Sequence, residues 1–211
     1  MTPKTISSPA GRGVLAAHAR RTLWRSVLMG SGGISFDGPA PTGGCVVVAN
    51  HSSHADTAAL LASLPAEGRP VFIAAADYWG ASPVRRWACR ALGGGYEVRR
   101  GGGGSVDLEP LVDELRAGRT VVMFPEGTRS RDGSLHEFHS GAFRLAERAG
   151  VPVVPVGLRG TSDLLPVHGN LRRAAVRVRF GEPLISPTVS QARHAVADMA
   201  AVAVPIRKEA K

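Results

Sequence analysis

The chain has 211 residues, 44% of them hydrophobic, and 26 Lys and Arg against 17 Asp and Glu give it a formal net charge of +9. That size and apolar content suffice for one ordinary core, so a single domain over residues 1–211 is expected, and the charge implies an anionic partner: nucleic acid, an anionic membrane or a phosphorylated substrate. Aromatic residues make up only 5%, and the chain has neither a basic run interleaved with aromatics nor helix-turn-helix or zinc-finger spacing, so no nucleic-acid partner is expected.

The opening MTPKTISSPAGRG is polar and lacks the apolar stretch of a secretory signal. No apolar run approaches the roughly 20 residues that span a bilayer, so the expected location is cytoplasmic, with peripheral membrane contact. Residues 14–29, VLAAHARRTLWRSVLM, place Leu15, Ala19, Leu23 and Val27 four apart, with Arg21 and Arg25 on the flank. Such a basic amphipathic helix suits either a lipid interface, with Trp24 at headgroup depth, or packing on the domain with its arginines in water.

From residue 45 onward short apolar runs alternate with helical patterns. CVVVAN, VFIAAA, TVVMF, VPVVPVGL and AAVRVRF read as strands; DTAALLASL, PVRRWACRAL, the Leu108–Leu111–Val112–Leu115 stripe, GAFRLAERAG and about 188–203 read as helices. This alternation predicts an α/β domain whose mixed, mostly parallel sheet is flanked by helices. GGGYEVRRGGGG reads as a mobile loop. Cys45 and Cys89 lack the pattern of a disulfide framework or a zinc site and read as reduced, packed thiols.

Two segments carry chemistry. In NHSSHAD, directly after a strand, five residues along a continuous helix would turn about 500° and leave His51 and Asp56 on different faces, so pairing them requires a turn. Given one, the carboxylate fixes the imidazole tautomer and leaves the other ring nitrogen as a general base; helix capping by Asp56 is the plainer alternative. His54 and His51 are three apart, not the helical four of a zinc pair, and no Gly-x-Ser-x-Gly elbow exposes Ser52 or Ser53, so no metal and no nucleophilic serine are expected. In FPEGTRSRDGSLHEFHSGAF, also after a strand, Gly127 and Gly133 permit tight turns, and Thr128, Arg129, Ser130 and Arg131 offer donors suited to a phosphate monoester.

Together NHSSHAD and FPEGTRS resemble the N-H-x4-D and F-P-E-G-T-R boxes of the glycerolipid acyltransferase family, typified by 1-acylglycerol-3-phosphate acyltransferase. GYEVRR, ending at Arg100, and VPVVPV, with Pro155, resemble two weaker boxes, so that the likeness covers about residues 45–160. The resemblance implies a glycerolipid-acyltransferase-like fold in which His51 is the base and Asp56 its orienting partner. It further implies that Arg100, Glu126, Gly127, Thr128 and Arg129 bind the acceptor. The expected reaction takes a fatty acyl chain from acyl-CoA or acyl-carrier protein to the sn-2 hydroxyl of lysophosphatidic acid or a related lysolipid, with no cofactor, beside an anionic membrane surface; the alternatives are a non-catalytic lipid binder and an acyltransferase acting on a different, non-glycerophosphate lipid acceptor. Glu97 stands where the family's second box is usually apolar, and His139 stands where a basic residue, often lysine, is common.

Overall fold

Cys45–Ala49 contains no charged side chain, and all five of its residues are buried, the pattern of a strand covered on both faces. In the computed structural model, which describes residues 13–75, 87, 91–98 and 104–201, this segment is the middle strand of a seven-stranded sheet. The strands are β1 (Ile34–Asp37), β2 (Cys45–Ala49), β3 (Val71–Ala75), β4 (Gly95–Val98), β5 (Thr120–Met123), β6 (Val153–Arg159) and β7 (Val176–Phe180), in the order β1-β7-β6-β2-β5-β3-β4. Every pairing is parallel except β6 with β7.

The described helices are α1 (Val14–Gly30), α2 (Ala55–Ser63), α3 (Gly104–Arg116), α4 (Gly141–Ala149), α5 (Thr161–Leu164) and α6 (Val189–Ala200). Successive side chains of a strand point to opposite faces, and β2 divides accordingly. Cys45, Val47 and Ala49 join Leu28, Leu60 and Leu61 in one core, under α1 and α2. Val46 and Val48 join Leu111, Leu145 and Val196 in the other, under α3, α4 and α6. The mixed, mostly parallel α/β architecture expected from the alternation is the one observed.

Two strands escape the pattern. Gly95–Val98, inside the stretch read as a loop, is β4, paired in parallel with β3 from Phe72↔Gly95 to Ala75↔Val98. Its flanking glycines hide a four-residue edge strand whose hydrogen-bond partner lies more than twenty residues earlier. The short β1 is similarly invisible, because three of its four residues are exposed and, among the described residues, it pairs with β7 alone. Of the helix expected at PVRRWACRAL only Trp87, Ala91 and Leu92 are described, and the residues from Arg99 to Gly103, Arg100 included, lie outside the described residues.

Helix α1 packs on the domain, though not by the expected stripe. Ala17, Arg20 and Leu28 are buried, and Trp24 packs against the core while its Nε1–H donates to the Leu92 carbonyl at 2.9 Å. Trp24 therefore faces inward, not toward headgroups, and Arg20 is buried instead of lying in water. The stripe itself, Leu15, Ala19, Leu23 and Val27, is exposed, with Leu15 at 86%. The packing face was set by partners from other parts of the chain: Leu92 for the indole and the α2 surface against which α1 lies. No helix among the described residues is long and apolar enough to cross a membrane.

Candidate active site

Strands β6, β2 and β5 are parallel neighbours, so their C-terminal ends open at one edge of the sheet, where α/β proteins place ligands. His51 leaves β2 there, Pro125–Arg129 leave β5, and Arg159 ends β6. Asn50 pins the junction: its Nδ2 donates to the Leu158 carbonyl at 3.0 Å, and Leu158 N–H donates to its Oδ1 at 2.8 Å.

The turn required of NHSSHAD is present. Residues 50–53 cross from β2 to α2, and Asp56, in the first turn of α2, folds its carboxylate back over them. Oδ2 accepts from His51 Nδ1 and from the Ser52 and Ser53 backbone N–H groups, each at 2.8 Å. Asp56 is fully buried. Because a carboxylate only accepts, Nδ1 carries the hydrogen and Nε2 is left as the ring's acceptor. The ring also stacks on Phe124, with centroids 4.0 Å apart and planes 12° from parallel. Stacking and the Nδ1 bond together fix both the plane and the rotation of the imidazole.

Glu126 holds the same histidine from the other side. Its Oε1 accepts from the His51 backbone N–H at 2.6 Å and its Oε2 from the His136 N–H at 2.9 Å. Burial pushes its carboxyl above the usual range, against the opposing pull of those two N–H donors. Both oxygens are thus occupied by backbone, and the side chain braces the loop after β2 against the loop after β5. Ser130 N–H, donating to the His51 carbonyl at 2.7 Å, adds a second tie. The far end of this loop is anchored by α6: Arg193, buried, donates from Nε to the His136 carbonyl at 3.0 Å and from Nη2 to the Leu135 carbonyl at 2.8 Å.

Replacing Glu126 with Gln would leave one of the two N–H groups facing an amide N–H instead of an oxygen. A loss of about 1–3 kcal/mol of stability is expected from the weakened brace, measured by urea titration. The raised carboxyl has a signed consequence. Its contribution to folding is complete below the unfolded value of about 4.3 and is lost as pH rises through the folded value. Urea titrations should therefore show wild type losing ground to Glu126→Gln as pH rises above about 4; a gap independent of pH would contradict the assignment.

The remaining expected residues are spread around this core. Gly127 has φ 69°, and a Cβ there would meet the His139 ring at 3.2 Å, so the turn demands glycine on two counts. Thr128 is exposed. Arg129 Nη1 contacts His54 Nε2, and burial, with the Arg129 charge second, holds the His54 imidazole below its usual range. His54 therefore accepts from the guanidinium as a neutral ring. Asp132 organises the following turn by accepting from Ser130 and Ser134, which lowers its carboxyl to about 2. Beside His51 lies a cavity of about 190 Å³, bordered by Asn50, Glu126, Ser130, Arg159 and Ala201 among others. Among the described residues, no three His, Cys, Asp or Glu side chains gather as metal ligands would. Phe124, Asn50 and Arg193 were not singled out from the sequence. Asn50 opens the N-H-x4-D box and Phe124 the FPEGTR box, each directly after a strand, so both had a usable signal; Arg193 left none.

Residues 34–159 match the family described as Acyltransferase. Over 143 residues the chain is 38% identical to the chloroplastic 1-acyl-sn-glycerol-3-phosphate acyltransferase of Brassica napus, covering 66% of this chain and 40% of that protein. With the lyso-ornithine lipid O-acyltransferase of Pseudomonas aeruginosa it shares 31% identity over 177 residues, which are 75% of this chain and 66% of that protein. The chain thus spans about two fifths of the plant relative and about two thirds of the bacterial one. The crystal structure of the 1-acyl-sn-glycerophosphate (LPA) acyltransferase PlsC from Thermotoga maritima has the same fold. It aligns at a TM-score of 0.69 and 25% identity, covering 88% of this chain and 76% of that one.

Proposed function

The chain belongs to the acyltransferase family, and on that premise we propose that it moves a fatty acyl chain from acyl-CoA or acyl-carrier protein to the sn-2 hydroxyl of 1-acylglycerol-3-phosphate. The observation that carries this reading is the 2.8 Å bond from His51 Nδ1 to the buried Asp56 carboxylate. It leaves Nε2 as the acceptor for a proton, on a ring that borders a cavity. In the reaction, Nε2 takes the hydroxyl proton as the oxygen bonds to the thioester carbonyl carbon. The C–S bond then breaks, and the departing thiolate recovers the proton from the imidazolium. Asp56 stabilises that imidazolium in the interval. A thioester is already activated, so one direct transfer suffices and no covalent enzyme intermediate is needed.

The test is purified protein given labelled acyl-CoA or acyl-carrier protein and a panel of lysolipids; absence of transfer to every acceptor rejects the reading. A second acceptor class belongs on that panel. The likeness to a lyso-ornithine lipid O-acyltransferase favours including a lysolipid headed by an amino acid, and preference for it over lysophosphatidic acid would reassign the acceptor.

The same reading puts the protein on the cytoplasmic face of an anionic membrane, where lysolipids reside. Support comes from the net charge of +9 and from the exposed apolar stripe of α1, with Leu23 at 44% and Val27 at 42%, both suited to an interfacial helix. Changing Leu15 and Leu23 together to Glu should weaken sedimentation with phosphatidylglycerol vesicles by at least about tenfold. The pair is exposed, so thermal stability should be unchanged, and wild-type vesicle binding by the variant would remove α1 from the interface.

A further inference from the structure

The His51 loop has a guanidinium on each side, and only one of them belongs to the FPEGTR box. Strand β2 lies between β5 and β6. On the β5 side stands Arg129 against His54. On the β6 side stands Arg159, the last residue of its strand, at the border of the cavity beside His51.

Three features make Arg159 more than a surface arginine. Its partner in the antiparallel β6–β7 register is Arg177, and directly opposed residues project from the same face of a sheet. Both are exposed, and among the described residues neither has a carboxylate partner. The next outward residue of β7, Arg179, does have one: Asp37 Oδ1 lies 3.6 Å from its Nε. Two like charges set opposite each other without a counter-charge are unfavourable, and an anion bound between them relieves this. Gly160 then locks the arrangement in place. It has φ 78°, and a Cβ there would meet the Ala175 carbonyl oxygen at 2.1 Å, so the chain leaving Arg159 lies directly on the approach to Arg177.

We propose that Arg159, backed by Arg177, forms a second phosphate subsite on the β6 side of His51, distinct from the FPEGTR arginines. This rests on the acyl-transfer reading above, in which two phosphate-bearing molecules, donor and acceptor, meet at one base. Guanidinium forks on the loop after β5 and at the end of β6, the two strands that flank β2, suit two such anions approaching from different directions. The group bound is a phosphate monoester or diester, carried either by the lysolipid headgroup or by the phosphopantetheine arm of the donor.

Binding without turnover separates these sources. Calorimetric titration of the full chain with CoA alone, and with lysophosphatidic acid alone, is compared for wild type, Arg159→Gln and Arg177→Gln. Arg159→Gln should weaken one of the two ligands by about tenfold, the loss of one charge-assisted contact at an exposed site, and leave the other unchanged. Arg177→Gln should act in the same direction and more weakly. The weakened ligand identifies the source: if CoA, the penalty in KM should vanish with an acyl-pantetheine that lacks phosphate; if lysophosphatidic acid, it should vanish with a monoacylglycerol. Unchanged affinity for both ligands overturns the subsite, and equal weakening of both also overturns it, since that reports only a general charge effect. Failure of the wild type to transfer acyl groups would sink the functional reading instead, and the two titrations would still report on the arginines.

Discussion

His51→Ala is expected to lower kcat by about two to four orders of magnitude, the range for removing a positioned general base. The loss should fall on kcat more than on KM, because the base acts in the transition state while substrate contacts are made elsewhere. The fold should persist. The ring is partly exposed, with side-chain exposure of 20%, and the tie from the residue to Glu126 runs through the backbone N–H, which alanine keeps. What goes is the stack on Phe124 and one hydrogen bond to Asp56. Steady-state transfer of labelled acyl groups, with near-ultraviolet circular dichroism as the folding control, reads both effects. A well-folded variant with wild-type kcat would show that another group takes the proton.

Asp56→Asn is the sharper experiment, since it keeps shape and removes charge. Three donors converge on Oδ2, whereas Oδ1 is buried without a partner among the described residues. An asparagine can place its carbonyl oxygen under the three donors, which leaves its NH2 buried with nothing to accept from it. The flipped amide sets its NH2 against all three. Either choice costs about 1–3 kcal/mol of stability, and the first is the less costly because it orphans one group instead of opposing several. The imidazolium formed during transfer then loses its counter-charge, and kcat should fall by about two orders of magnitude or more. Thermal unfolding and acyl transfer measured together separate the two losses. An Asn variant with a lowered midpoint and full activity would make Asp56 a structural residue only, the capping role that its position also allows.

Both experiments act on a site whose parts were legible to different degrees. The His51–Asp56 pair could be read because its two members lie five residues apart and need only a turn followed by a helix, which NHSSHAD and DTAALLASL spell locally. The arginine loop could be read in composition, though not in the contacts its side chains make within the protein. Glu126, expected among the acceptor contacts, has both oxygens taken by the backbone N–H groups of His51 and His136. Arg129, expected near a phosphate, stands against His54. Neither contact follows from spacing, since 75 residues separate the partners in His51–Glu126 and in His54–Arg129.

What the amino-acid order determined alone is therefore whatever neighbours along the chain can decide: the type of the helices and of the five apolar strands, the turn that pairs a histidine with a carboxylate, and the glycine needed at position 127. The tertiary structure decided which helix face packs, so that Trp24 turned inward and Leu15 outward. It also brought Phe124 under the imidazole, Arg193 onto the loop that braces it and Arg159 opposite Arg177. The reason is that these contacts depend on which strands become neighbours. Setting β2 between β5 and β6, and laying α6 across the far loop, joins segments far apart in the chain, and hydrophobic periodicity records only that a face is buried, not which residues bury it.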